Sequence, residues 1–376
     1  LQLDQITTIT EGTTKILALK QSITDKVPPQ NVAFFNPKAK LSRDFSIIAY
    51  SAFLKKFDGP RLFLDSLAGV GARGLRVANE ISDVRVIIND LNPSALELAK
   101  KSAELNGLTN FEVSENEVCR FLSTFSKKGH RGAIVDVDPF GSPARHVDCG
   151  IRATVHKGLF SVTATDLQVL HGIFKDACKK KYHGVPIKTS YSDEIAARLV
   201  VGLINVIAAR LDVEITPVFV ENNMHYYRIY VRVLNKPDTQ NRIGYIWHCR
   251  TCGQRGASHE QVASCNQCSS KTEHAGPLWI DRLFDKEFLL NMLDEIPKFQ
   301  IDKTCEKTIR KCILEADMGP CYYTLDEIAE MRHSSPISLL KIIERLQKDG
   351  FDATPTSFNP TGFRTSAPIG KIKEMF

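Results

Sequence analysis

Short apolar runs and longer segments of helical spacing alternate through the first two-thirds of the chain. The stretch "EGTTKILAL" suits a strand or one arm of a hairpin. "RDFSIIAYSAFLKKF" (43–57) places apolar residues three and four apart, as a helix does, and Gly59-Pro60 ends it. Leu62-Phe63-Leu64 is a short strand ending at Asp65; a loop with Gly69, Gly71 and Gly74 follows, then a helix. Val84 to Ile88 forms a second strand ending in Asn89-Asp90, with a helix after it that carries Pro93 near its first turn. "NFEVSE" predicts a third strand, with a helix from Val118 to Phe125, and "GAIVDV" a fourth strand running into Asp138-Pro139-Phe140-Gly141. A fifth strand is expected over 159–164, and 193–212 reads as a long helix with apolar residues all round. "ITPVFVENNMHYYRIYVRVL" reads as a hairpin turning at Glu221-Asn222-Asn223, with Arg228 and Arg232 on one face. Strands alternating with helices predict an α/β fold, a mostly parallel doubly wound sheet with ligand groups at the carboxyl ends of its strands.

Beyond residue 235 the pattern changes. "NKPDTQNRIG" is polar and reads as a linker, dividing the chain into domains 1–235 and 236–376. Four cysteines follow as Cys249-x2-Cys252-x12-Cys265-x2-Cys268. Two such knuckles can set four thiolates tetrahedrally around a structural zinc; an iron–sulfur cluster is the alternative, and His248 and His259 are alternative ligands. Two amphipathic helices come next. Residues 323–368 then run helix, turn, helix and strand hairpin, the order of a winged-helix module, with Lys341, Arg345 and Lys348 near one helix face. The C-terminal part is thus expected to be a smaller α+β, winged-helix-like domain containing zinc.

Charge and composition narrow the function classes. Of 376 residues 43% are hydrophobic, enough for two cores, and the formal charge of +6 is compatible with a polyanionic partner. No run is long enough for a membrane span, and the start "LQLDQITTITEGTTK" lacks a secretory pattern, so a cytoplasmic protein without membrane contact is expected. The grouping of the four cysteines favours metal over a disulfide scaffold. Nothing here indicates an oligomeric state.

The strand tips hold the candidate chemistry. Gly69 and Gly71 allow close approach of the backbone to a ligand, and Asp90 at the second strand tip suits a ribose diol; the competing role for Asp90 is a helix N-cap. Residues 115–118 lie where an adenine ring would meet the third strand. In Asp138-Pro139-Phe140, the carboxylate and the Pro139 carbonyl can hold the N–H groups of an amine, the ring of Phe140 can stack on a base, and Gly141 leaves room for it. A tight turn with a buried phenylalanine is the structural alternative. Asp136 precedes Asp138 on the same strand face, with structural support as its expected role. Arg145 and His146 beyond are placed to touch phosphate or to face solvent. Antiparallel sixth and seventh strands at the edge would complete a seven-stranded sheet of the methyltransferase type, unlike the usual dinucleotide-binding sheet.

These residues carry a resemblance. "FFNPKAKLSRD", "DSLAGVGARGLR", "DVDPFGSP", "VTATD", "GPLW" and "PTGFRTSAP" span residues 34 to 368 and resemble the tRNA guanine-N2 dimethyltransferases that act on guanosine 26. The resemblance implies a Rossmann-like class I fold, S-adenosylmethionine as donor, tRNA as substrate, and one or two methyl groups placed on the guanine amine. It implies that Arg43, Asp65, Gly69, Gly71, Arg73, Asp90, Asn116, Glu117 and Val118 hold the cofactor and that Asp138, Pro139 and Phe140 are catalytic. Arg364 and Thr365 fall in its C-terminal motif, facing RNA or the catalytic domain. "SRD" stands where the family commonly has "NRD". A methyltransferase for a different RNA amine is the rival enzyme; a zinc-bearing RNA-binding protein with an inactive methyltransferase domain is the rival of another class.

Overall fold

A computed structural model describes residues 5–25 and 33–376. The first four residues and the Pro28-Pro29 segment lie outside the described residues. The chain opens with a hairpin of β1 (Ile6–Glu11) and β2 (Thr14–Leu19), then a single turn α1 (Gln21–Thr24). Helix α2 (Lys40–Lys55) follows. The α/β alternation then runs β3 (Leu62–Asp65), α3 (Ala72–Glu80), β4 (Arg85–Asp90), α4 (Pro93–Leu105), β5 (Phe111–Glu115), α5 (Val118–Thr124), β6 (Gly132–Val137), α6 (Val147–Ala153) and β7 (Thr154–Ala164). Short helices α7 (Leu167–Leu170) and α8 (Lys175–Tyr182) lead to the long α9 (Ser192–Ala209), and β8 (Glu214–Asn223) and β9 (Tyr226–Leu234) close the sheet.

The seven strands lie in the order β5-β4-β3-β6-β7-β9-β8, with β9 antiparallel to both its neighbours and the first five parallel. This is a Rossmann-like methyltransferase sheet. The strand order reverses between β3 and β6, where a crevice opens at the carboxyl ends. Strand β7 is longer than expected, beginning at Thr154. The hairpin turn is not at Glu221-Asn222-Asn223: those residues pair with Arg228, Tyr227 and Tyr226, and the turn is Met224-His225. Continued pairing carries the ladder past the polar triplet, whose Asn222 amide also donates to the Phe358 carbonyl at 2.9 Å. Helix α2 covers one sheet face, with Phe45 against Phe219 and Tyr50 against Phe63.

The second half holds β10 (Ile243–His248), the centre of a three-stranded antiparallel sheet with β11 (Arg255–Ser258) and β12 (Glu273–Trp279). Then come α10 (Lys286–Glu295), α11 (Lys303–Glu315), β13 (Tyr323–Thr324), α12 (Leu325–Arg332), α13 (Leu339–Lys348), β14 (Ala353–Pro355), β15 (Gly362–Thr365) and α14 (Ile369–Glu374). Packing crosses the polar linker at residue 236: Ile246, Leu278, Trp279, Phe288 and Met292 share one core with the seven-stranded sheet. Residues around Ile328, Ile342, Leu346 and Phe363 form a smaller core of their own. Arg364 ties it to the catalytic unit. It is buried, donating to Glu315 at 2.6 Å and to Glu194 of α9 at 3.1 Å. Its side chain is therefore turned inward, between α9 and α11, and not to the surface. No helix among the described residues is long and apolar enough to cross a membrane.

Candidate active site

A cavity of about 430 Å3 opens at the carboxyl ends of β3, β4, β6 and β7. Its wall includes Arg43, Asp65, Gly69, Arg73, Asp90, Asp138, Pro139 and Phe140. The fold thus gathers eight of the twelve residues expected to bind cofactor or act in catalysis. Gly71, Asn116, Glu117 and Val118 are not in its wall.

Each strand tip has a definite chemistry. The Asp90 carboxylate accepts the Gly69 N–H at 2.8 Å and the Asn92 N–H at 2.9 Å, so it fixes the glycine loop while its remaining lone pairs face the cavity. It is not the helix cap; that is Asn92, whose side chain accepts from Ser94 and Ala95. Gly69 has φ +54°, and a Cβ there would sit 2.7 Å from the Phe34 carbonyl oxygen, so only glycine fits. Gly71, φ +76°, instead lets the loop pack on Ile88 and Ala99. Glu117 caps α5 by accepting the Arg120 N–H at 2.9 Å, and Val118 is buried in the core. Asn116 meets Asn89 through its backbone.

Under the cavity floor lies a charge network. Arg73 spans Asp136, 3.2 Å away, and Asp138, 2.5 Å away. Arg228, fully buried on β9, donates to Asp136 and also to Thr163 at 2.6 Å; the Tyr50 hydroxyl donates to the same Asp136 oxygen at 2.5 Å. Asp136 is thus structural. Two arginines balance two carboxylates, and two further carboxyl groups are left. Burial, with the charge of Asp136 beside it, pushes Asp65 up to about 8. Burial likewise pushes Glu221 up to about 7. Asp138 differs. Burial alone would raise it, but Arg73 and Arg228 overcome that and hold it below its ordinary value. It is an ionised acceptor one-third exposed to the cavity.

The donor set suits S-adenosylmethionine. The Asp65 Oδ2 is buried without a hydrogen-bond partner among the described residues. Such an atom is costly unless something fills its need, and an ammonium group does. This orphaned oxygen fits the role expected of Asp65, holding the methionine part of the donor.

Phe140 is no buried turn residue. It is 61% exposed, and its ring meets Phe34 edge-to-face at 4.8 Å on the cavity rim. Gly141 (φ +79°) has open space where a side chain would be, and its N–H donates to the Thr165 hydroxyl at 2.7 Å, pinning the loop to the end of β7. His146 is buried, unlike a phosphate-touching loop residue, and accepts from Arg145 at 2.9 Å. Cys119 and Cys149 form a disulfide joining α5 and α6, a pairing the sequence did not indicate. Arg43 lines the cavity, yet its guanidinium is held by Glu11 at 2.6 and 2.7 Å and by the Asn36 carbonyl.

Sequence reasoning missed Phe34, Tyr226 and Arg228. An arginine within the otherwise apolar "YYRIYV" strand was the available signal for Arg228, since a buried charge requires a buried partner.

The model of the N2,N2-dimethylguanosine tRNA methyltransferases matches residues 12–376. The chain belongs to that family. It is similar to the tRNA (guanine(26)-N(2))-dimethyltransferase of Methanobrevibacter smithii, 33% identical over 99% of this chain and 97% of the relative. It is 32% identical to the enzyme of that name from Methanosarcina acetivorans, over 98% and 97%. Among solved structures it is similar to Trm1 from Pyrococcus horikoshii in complex with S-adenosyl-L-methionine: TM-score 0.84, 28% identity, 98% of this chain and 99% of that one. Family membership makes the chain a methyltransferase and its strand-tip cavity the candidate site of transfer.

Proposed function

We propose that the protein transfers methyl groups from S-adenosylmethionine to the exocyclic N2 of a tRNA guanosine, at position 26, adding one or two. The observation that carries this reading is the ionised Asp138 carboxylate, open to the cavity between a cofactor-type strand tip and the Phe34–Phe140 rim. The donor supplies an electrophilic methyl on a positive sulfur. Asp90 would hold the ribose, Asp65 the ammonium group, and the Gly69 loop would follow the backbone of the ligand.

The guanine amine is a weak nucleophile because its lone pair is delocalised into the ring. Asp138 and the Pro139 carbonyl accept its N–H groups and orient the nitrogen. Phe140 and Phe34 bound the slot through which the base enters after leaving its stack. As the N–C bond forms and the C–S bond breaks, nitrogen gains positive charge, which the carboxylate stabilises. Arg73 keeps that carboxylate ionised. The alkylated amine is a strong acid, so even a depressed carboxylate accepts its proton.

The C-terminal half, 236–376, supports this in our reading. The four Sγ atoms of Cys249, Cys252, Cys265 and Cys268 lie within 4.8 Å of one another, a set that fits four thiolates on one zinc. His248 and His259 are engaged elsewhere, with Tyr191 and the Ile243 carbonyl. The order α11-β13-α12-α13-β14-β15 is that of a winged helix.

The test is methylation of an unmodified tRNA transcript followed by nucleoside mass spectrometry. N2-methylated guanosine should appear, and a guanosine-to-adenosine change at position 26 should abolish it. Methylation of another base or atom would overturn the reading.

A further inference from the structure

Beside the cavity mouth, residues 172–188 carry a concentration of positive charge that the catalytic reading does not use. Lys175, Lys179, Lys180, Lys181 and Lys188 are all exposed, with Asp176 the one acid within the segment. Among the described residues only Lys181 has a carboxylate partner, Asp166 at 3.2 Å; Glu273, near Lys175, is already held by Arg250 at 2.8 Å. A single lysine at the end of α8 would satisfy the helix dipole, so the dipole does not account for the run. Next to the lysines, Ile173 is 67% exposed and Phe174 53% exposed, on a turn where Gly172 has φ +83°.

This segment is fastened to the site. The Tyr182 hydroxyl donates to Asp166 at 2.6 Å and lies by the Ser142 hydroxyl of the DPFGS loop. Asp166 follows Thr165, which lines the cavity and receives the Gly141 N–H. Helix α8, which carries Lys175 and Lys179 to Lys181, is therefore fastened to the loop that follows Phe140.

We propose that Gly172–Lys188 is the surface that grips the RNA strand flanking the target nucleotide: the lysines meet phosphates, and Ile173 and Phe174 meet the exposed faces of neighbouring bases. This rests on the tRNA reading above. An RNA strand fits for two reasons. A base that leaves its stack carries its flanking phosphates to the cavity rim, and it uncovers apolar faces on its neighbours. A cluster of exposed cations, of which only Lys181 has a carboxylate partner among the described residues, beside two exposed apolar side chains meets both.

The test compares two doubly reversed variants, K179E/K180E and K127E/K128E. The second pair is exposed too, but it lies on the loop before β6, at the opposite end of the sheet. Binding of an unmodified tRNA transcript is titrated across salt concentrations, with cofactor affinity by calorimetry as the check on folding. K179E/K180E should weaken tRNA binding at least about tenfold and reduce the slope of log Kd against log salt by about 2, with cofactor affinity unchanged. K127E/K128E should do neither. Equal effects of the two variants, or none, would overturn the surface while leaving the methyltransferase reading intact. A wild-type enzyme that binds tRNA through these lysines but never methylates guanine N2 would overturn the functional reading alone. If an acidic protein segment, and not tRNA, competes with these lysines for binding, the RNA assignment is wrong.

Discussion

The Arg73 guanidinium lies 2.5 Å from the Asp138 carboxylate, and this pair decides how the site works. It keeps Asp138 ionised and on the cavity wall, so in the proposed reaction the residue would be an acceptor whose value rises as charge develops on the attacking nitrogen. Asp138→Ala should lower kcat by about 100-fold or more while cofactor and tRNA affinities stay near wild type. Asp138→Asn should be milder because an oxygen acceptor remains. Single-turnover methylation at saturating substrates measures both; a wild-type rate in folded Asp138→Ala would assign DPFG to structure only.

Asp65 should register cofactor binding as a proton. In the free enzyme its carboxyl is pushed up to about 8, so at neutral pH it holds a proton that the unfolded chain would have released. That part of the stability is therefore present at low pH and is lost as pH rises from about 4 through about 8. An ammonium group beside it favours the ionised form, so binding S-adenosylmethionine at pH 7 should release close to one proton from this residue. Calorimetry in buffers of different ionisation enthalpy counts it, and Asp65→Asn should remove that release along with most of the affinity.

Asp90→Ala should weaken S-adenosylmethionine by about 1.5–3 kcal/mol. Because the same carboxylate holds the Gly69 and Asn92 N–H groups, thermal stability should fall as well. Unchanged calorimetric affinity would remove the ribose assignment.

Arg228→Met should destabilise the fold by about 3–5 kcal/mol, since it strips a fully buried carboxylate, Asp136, of one of its two cations. Denaturant unfolding reads this directly. A loss below 1 kcal/mol would mean Arg73 and Tyr50 suffice.

Purified protein should carry about one zinc per chain, and Cys249→Ser should lower it. The first damage should fall on residues 243–279, where Cys249 and Cys265 are buried against Trp247. Elemental analysis showing no metal in protein made with zinc supplied would count against the site.

Much of this was legible because strand tips are local. A run such as Leu62-Phe63-Leu64-Asp65 shows both the strand and the polar group at its end, and the same grammar placed Asp90 and Asp138. Partners distant in sequence were not legible. Arg43, expected at the cofactor, does line the cavity, but the partner that holds its guanidinium, Glu11, lies 32 residues earlier. Glu117 reads as an adenine contact until its carboxylate is found capping α5. The hairpin turn was misplaced because Glu221-Asn222-Asn223 has turn composition, and only the strand ladder shows it paired.

Arg228 lies on the last strand of the seven-stranded sheet in chain order, so synthesis supplies this cation late. Asp136 emerges 92 residues ahead of its cation, about 5–18 s earlier at ordinary rates of synthesis. Through that interval Asp65, Asp136 and Asp138 have only Arg73 among them, so their burial is opposed. The place between β7 and the edge strand β8 is filled only when β9 has been translated, and the network beneath the cavity floor receives its second cation with that strand.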